Sequence, residues 1–385
     1  MKPIYLDFQA TTPVHASVVE KMTPFWSSEF GNPHSSEHIA GWTANATLNR
    51  CRDNVAALVG AFPEDVIFTS GATEANNLAL LGHRASFPAR GGVSVLYSAT
   101  EHKCVINASK TLAREIGLEA VALPVEKQGI LDLEVLEREL NKGPAIVSVM
   151  LVNNEIGTIQ DIKKIHQICS KFGAHLHCDA SQAPSFMDIT WLADSADSIS
   201  LSSHKMYGPM GIGALIASPE IQRQLKPLAV GGGQEAGIRS GTVPLPLCVG
   251  FSEACKLVMT SEYSARINQA SELRNNFFET LKSASLSVQL NGPEFSNRHL
   301  CNLNLCFPET NAKAVLDTLQ PNLCASSGAA CSSGVEGPSD TLTAIGLDLK
   351  NANSSIRFSF GLSSTAEETD RAVNLVIDAV KSNFN

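Results

Sequence analysis

The run Ala145 to Val152, AIVSVMLV, has almost no polar side. A strand that is apolar on both faces must be covered on both, as in the interior of a parallel sheet. Other short runs repeat the signal: Asp65 to Thr69 (DVIFT), Ser94 to Ser98, His175 to Asp179 and Ser198 to Leu201. Glu74 to Leu81 and Ile162 to Phe172 read as helices among them. Apolar strands separated by helices predict an α/β architecture with a mostly parallel sheet clad on both faces. After about Phe251 the pattern changes. Ser264 to Leu281 predicts a long helix with Ile267, Ala270, Phe277 and Leu281 on one side, and Leu300 to Phe307 a strand. The last helix carries Ser364 and Glu367 as a capping box, then Val373, Val376, Ile377 and Val380 at helical spacing. These features predict a second, smaller α+β domain.

With 385 residues, 44% hydrophobic and 17% charged, the chain can bury a large core. A formal net charge of −9 argues against a broad nucleic-acid-binding face, so no direct nucleic-acid contact is expected. No apolar run is long enough to cross a bilayer. The start, MKPIYLDFQATTP, lacks the pattern of a signal peptide, so a cytoplasmic protein is expected. The ten cysteines are dispersed without a CxxC pair, which argues against a disulfide framework or a structural zinc site; no metal is expected. Most of them read as small core residues.

Several polar residues sit where predicted strands end. TSGATEANNLAL (Thr69 to Leu80) is a strand end, a glycine turn and a helix start. The free N–H groups there, with the Thr73 hydroxyl, suit a phosphate, although taken alone Thr73 reads more simply as a helix cap. Asp179 in HCDASQAP stands at a strand's carboxyl end, where ligands of α/β sheets gather. It could keep a pyridine nitrogen protonated or simply cap a helix. Gln182 follows three residues on. Lys205 in SSHKMYGPMGIG precedes a glycine- and proline-bearing loop, a setting that suits a Schiff-base lysine, with Ser202 and His204 as phosphate donors. His102 in ATEHKC could cover a ring face and move protons, and Asn154 in VNNEIG could bond near a ring oxygen or shape a turn. Cys331 lies in CASSGAACSSG, whose small residues suit a thiol that travels. Core packing fits the other nine cysteines better, with Cys324 ending a strand.

Singly these features are weak; their order along the chain is specific. YLDFQATTP, FGNP, TSGATE, EHK, VNNEIG, DASQ, SSHKMYGP, GGGQEAGIRSGT, SSGAACSSG and SSIRFSFG follow one another. In that order they closely resemble the NifS/IscS-type (group I) cysteine desulfurases of the class V aminotransferase family, over nearly the whole chain. The resemblance implies an α/β, fold-type-I pyridoxal 5'-phosphate (PLP)-dependent transferase with a mostly parallel seven-stranded sheet. It implies a large domain over residues 15–255 and a small α+β domain from residues 1–14 and 256–385 that carries the catalytic cysteine. By similarity Lys205 carries PLP, Asp179 pairs with the ring nitrogen, and Asn154 and Gln182 serve the ring oxygen. His102 stacks on the ring, and Ala72, Thr73, Ser202 and His204 bind the phosphate. Thr242 reaches the phosphate of the neighbouring subunit, which implies a homodimer. Arg357, helped by Asn32, holds the carboxylate of L-cysteine, and Cys331 takes its sulfur for delivery to an acceptor protein.

Two positions depart from the family pattern: Gln234 and Ala236 stand where many relatives carry histidine and arginine. The sequence also stops soon after its last helix, where IscS-type members continue with a tail that docks the iron–sulfur scaffold. That leaves room for a specialised member serving nitrogenase clusters, tRNA thiolation or DNA phosphorothioation. The rival readings are a selenocysteine lyase or another class V transaminase or lyase, and a non-catalytic scaffold. A transaminase needs no thiol nucleophile, and a scaffold needs none of Lys205, Asp179 and Cys331.

Overall fold

A computed structural model of the chain describes residues 2–85, 94–284, 286–327 and 338–384. It opens with a short strand, β1 (Ile4–Tyr5). Seven strands then build the main sheet: β2 (Val66–Thr69), β3 (Ser94–Ser98), β4 (Ala120–Leu123), β5 (Ala145–Ser148), β6 (His175–Asp179), β7 (Ser198–Ser202) and β8 (Gly213–Ala217). Four more follow: β9 (Gln289–Leu290), β10 (Asn302–Cys306), β11 (Leu323–Cys324) and β12 (Ser355–Ser359).

The main sheet runs β2-β8-β7-β6-β5-β3-β4. Every pairing is parallel except the two made by β8, which is antiparallel to β2 and β7. The carboxyl ends of the parallel strands therefore share one edge, and β8 enters from that same edge, with Gly213 opposite both Thr69 and Ser202. Strands β5, β7 and β8 are buried along their whole length, as residues covered on both faces must be. Among the described residues, no helix is long and apolar enough to cross a membrane.

The apolar run from Ala145 does not stay a strand to Val152. Pairing stops at Ser148; the main-chain N–H groups of Val149 and Leu151 still donate to the carbonyls of His177 and Asp179, and the run remains buried. Two strands of the main sheet escaped the sequence reading, as did β1, β9 and β12. β4 is an edge strand, largely half-exposed, so its apolar signal is diluted, and β8 is a five-residue GALIA segment that opens on glycine. The last helix, Ala366–Ser382, is capped one residue later than predicted. Thr365 accepts from the N–H of Glu368, while Ser364 accepts from Gly361 in the preceding turn. The long helix spans Ser261–Ser283 and buries Ile267, Ala270, Phe277 and Leu281 as expected.

A second sheet has the order β12-β10-β9. The chain's N-terminal segment joins it: β1 pairs with β11, and Asp7 bridges Ser359. This brings Gln9 and Ala10 over the carboxyl edge of the main sheet, next to Lys205.

Candidate active site

The turn after β2 begins the site. Gly71 is the N-cap of the helix Ala72–Leu81, at φ 151° and ψ 179°, a backbone region that glycine alone adopts freely. It has no side chain to cap the first N–H groups, which stay available to an anion. Gly213 of β8 packs against this turn: a Cβ there would lie 2.7 Å from the Gly71 Cα. The Glu74 carboxylate folds back to accept from the Ser70 N–H (2.6 Å) and holds Arg239 (2.9 Å), so the turn is tied to the loop that leads to Thr242.

Asp179, at the end of β6, is 6% exposed. Its Oδ1 accepts from the Ser181 N–H and hydroxyl (3.0 and 2.6 Å), and its Oδ2 accepts from Asn76 (2.7 Å). Lys205 follows β7, and its Nζ donates to the carbonyls of Gln9 and Ala10 (2.6 and 2.7 Å). The loop beyond it is tightly shaped: Tyr207 has φ 66°, strained for a tyrosine, and Gly208 packs on Ser203 where a Cβ would not fit. His204 bonds to the Thr11 hydroxyl (3.0 Å), and burial, then the charge on Lys205, pushes its pKa down to about 4. Gln182 donates to the Gln9 carbonyl at 3.1 Å. His102 is the N-cap of the helix Lys103–Glu115, with Nδ1 accepting from the Cys104 N–H.

Arg357, on β12, closes the far wall. Its guanidinium donates to Asp7 (2.6 Å) and to the Asn154 carbonyl (2.8 Å), while its buried Nε has no partner among the described residues. Its main chain exchanges two hydrogen bonds with Ser326. The Ser339 hydroxyl donates to Glu155, the neighbour of Asn154.

Ala72, Thr73, His102, Asn154, Asp179, Gln182, Ser202, His204, Lys205 and Arg357 together line one cavity of about 580 Å³. Asn32 and Thr242 do not line it; they share a separate groove with Phe25, Phe30 and Pro244. Cys331 lies outside the described residues, as does the stretch from 328 to 337 around it.

Residues 4–372 match the family model described as aminotransferase class-V. The chain belongs to the class V aminotransferase family. A cysteine desulfurase IscS of Ehrlichia chaffeensis is 42% identical over 382 residues, covering 98% of this chain and 91% of that protein. A solved NifS-like protein from Rickettsia africae superimposes with a TM-score of 0.86 at 29% identity, over 98% of this chain and 99% of that one. SspA, solved in complex with cysteine, gives a TM-score of 0.80 at 33% identity, over 94% and 99%.

The cofactor of class V aminotransferases is PLP, and the cavity fits it. The wall offers a lysine amine, a carboxylate held as acceptor, and an uncapped helix N-terminus narrowed by two glycines. It also offers a buried guanidinium nitrogen that no described group satisfies.

Motif reading overlooked three residues that line the cavity, Gln9, Cys104 and Ser181, and the buried Asn76, which donates to Asp179. Cys104 also corrects the assignment of nine cysteines to the core. Cys51, Cys169, Cys178, Cys248, Cys255, Cys301 and Cys306 are buried, and burial pushes Cys51 to about 11 and Cys169 and Cys301 to about 12. Cys104 is half-buried and lines the cavity, 3.0 Å from His102 Nδ1.

Proposed function

We propose that this protein is a PLP-dependent cysteine desulfurase, which moves the sulfur of L-cysteine onto Cys331, releases L-alanine and hands the sulfur to an acceptor protein. One observation carries the reading. Lys205, Asp179 and Arg357 wall a single cavity, and the segment holding Cys331 leaves from Ser326, bonded to Arg357, and returns at Ser339, bonded to Glu155. Four residues lie between Ser326 and Cys331, so the five backbone steps joining them can span up to roughly 17 Å.

Lys205 holds the cofactor through its amine, and Asp179 accepts the ring N–H. Ala72, Thr73, Ser202 and His204 take the phosphate, Asn154 and Gln182 the ring oxygen, and His102 covers the ring face. Bound PLP supplies an electron sink next to the substrate's Cα. Arg357, helped by Asn32, binds the substrate carboxylate with its planar donors. The Lys205 amine carries the Cα proton. The Cys331 thiolate attacks the substrate sulfur: an S–S bond forms, the substrate's C–S bond breaks, and the electron pair stays on the carbon fragment, which is protonated to alanine.

The groove shared by Asn32 and Thr242 supports a homodimer in which these residues complete the partner's site. Exposed Trp26, Phe30, Ile39 and Trp42 give the same region an apolar surface. The enzyme acts in the cytoplasm, and the acceptor belongs to iron–sulfur cluster assembly, tRNA thiolation or DNA phosphorothioation. Cysteine as substrate is supported by the SspA relative, which was solved with cysteine.

Replacing Lys205 with alanine tests the reading. The variant is expected to lose the visible absorbance of lysine-bound PLP and all alanine formation from L-cysteine. A variant that keeps both refutes the assignment. Selenocysteine assayed in parallel separates a desulfurase from a selenocysteine lyase.

A further inference from the structure

Asn76 is wholly buried, midway along the helix that starts at the phosphate turn, and its amide meets three groups of the site. Its Nδ2 donates to Asp179 Oδ2 at 2.7 Å and lies 3.3 Å from Cys104 Sγ, and its Oδ1 lies 2.8 Å from His177 Nε2. Hydrogen-bond logic fixes which way the amide faces. A carboxylate only accepts, so Asp179 requires the nitrogen, which leaves Oδ1 for His177. His177 must then donate from Nε2, so its Nδ1 accepts from the Ser198 hydroxyl at 2.9 Å. Burial pushes the His177 pKa down, in keeping with a neutral ring that has one N–H to give.

The chain Ser198–His177–Asn76–Asp179 thus has one consistent direction of donation, ending on the carboxylate. A branch leads from Asn76 through Cys104 Sγ to His102 Nδ1. That nitrogen also accepts the Cys104 N–H at 3.2 Å, which leaves the proton of a neutral ring on Nε2.

We infer that Asn76 is a positioning residue for Asp179: its amide holds the carboxylate as an acceptor at the cavity wall and, through Cys104, keeps His102 in register with it. The inference rests on the reading of Asp179 as the partner of the PLP ring nitrogen. Removing the amide leaves Asp179 with one donor fewer and His177 with a buried N–H unmatched, a costly loss for a charged acceptor.

The test uses Asn76→Leu, of similar volume, with Asp179→Ala as reference, and PLP itself as the probe. Apo protein is titrated with PLP while the visible band of the bound cofactor is recorded. Folded Asn76→Leu is expected to bind PLP about tenfold or more weakly and to show an altered visible band. Binding within about twofold of the parent with an unchanged band overturns the inference. Should Asn76→Leu fail to fold, Asn76→Ser, too short for either bond, is judged by the same two readouts. Asp179→Ala separates the two failures. If it binds PLP like the parent, the reading of Asp179 falls and the inference falls with it. If it loses PLP while Asn76→Leu does not, only the role of Asn76 falls.

Discussion

Arg357 and Asp7 form an ion pair, 2.6 Å apart, that joins strand β12 to the N-terminal segment at the cavity wall. The arginine side chain is 5% exposed and the aspartate 19%. The guanidinium also holds the Asn154 carbonyl, so its Nε–H and the second N–H of each terminal nitrogen remain for a substrate carboxylate. A lysine cannot serve all of these at once. Arg357→Lys is expected to raise KM for L-cysteine by about tenfold or more, with a smaller change in kcat. Steady-state kinetics of alanine formation checks this; an unchanged KM places the carboxylate elsewhere.

Asp7→Asn keeps the shape and one acceptor but removes the charge opposite a buried guanidinium. A loss of about 1–3 kcal/mol in stability is expected, below the figure for a fully buried pair because Asp7 is partly exposed. Urea unfolding of the apo protein measures it.

Gly213→Ala places a methyl against the backbone of the phosphate turn at Gly71, with neither side free to give. Weaker PLP binding, by about tenfold or more, is expected with little change in secondary structure. Equilibrium titration with PLP and circular dichroism separate this from a folding defect.

Burial holds His83, His175 and His299 neutral and pushes each to about 3. An unfolded chain protonates histidine near 6.5. Below that pH the unfolded state binds protons that the folded state refuses, so the stability from these groups is fully present above about 6.5 and falls as the pH drops toward 3. Urea midpoints at pH 7.5 and 5 are expected to differ, with roughly 1–2 kcal/mol lost per histidine. His83→Gln is expected to reduce the slope.

Much of the main sheet was legible because its strands are buried on both faces and carry the apolar residues that signal this. β6 was matched over its whole length, and β2 and β7 to within a residue at one end. β4 and β8 were not read. An edge strand and a five-residue strand beginning with glycine leave too little pattern, and antiparallel entry of β8 is a tertiary choice. Nine of the ten cavity residues stand at or just past a strand end inside a distinctive local motif, and Arg357, in the middle of β12, stands in the motif SSIRFSFG. Asn76 lies inside the TSGATEANNLAL stretch, but past the turn and helix start that give that stretch its meaning. Its one signal is spacing: it lies four residues before Leu80, one helical turn away on the same face, and both are fully buried. Cys104 was taken for packing because composition says nothing of cavities. The ion pair of Asp7 with Arg357 spans 350 positions, beyond any local pattern.

The central claim is that Cys331, and not Cys104 in the cavity wall, takes the sulfur. The direct measurement is peptide mass spectrometry of the PLP-loaded enzyme after brief exposure to L-cysteine and alkylation. The account predicts the added mass of one sulfur atom on the Cys331 peptide, absent from Cys331→Ser and retained in Cys104→Ser. Alanine formed at the parent rate by Cys331→Ser, or the extra sulfur found on Cys104 instead, would contradict it.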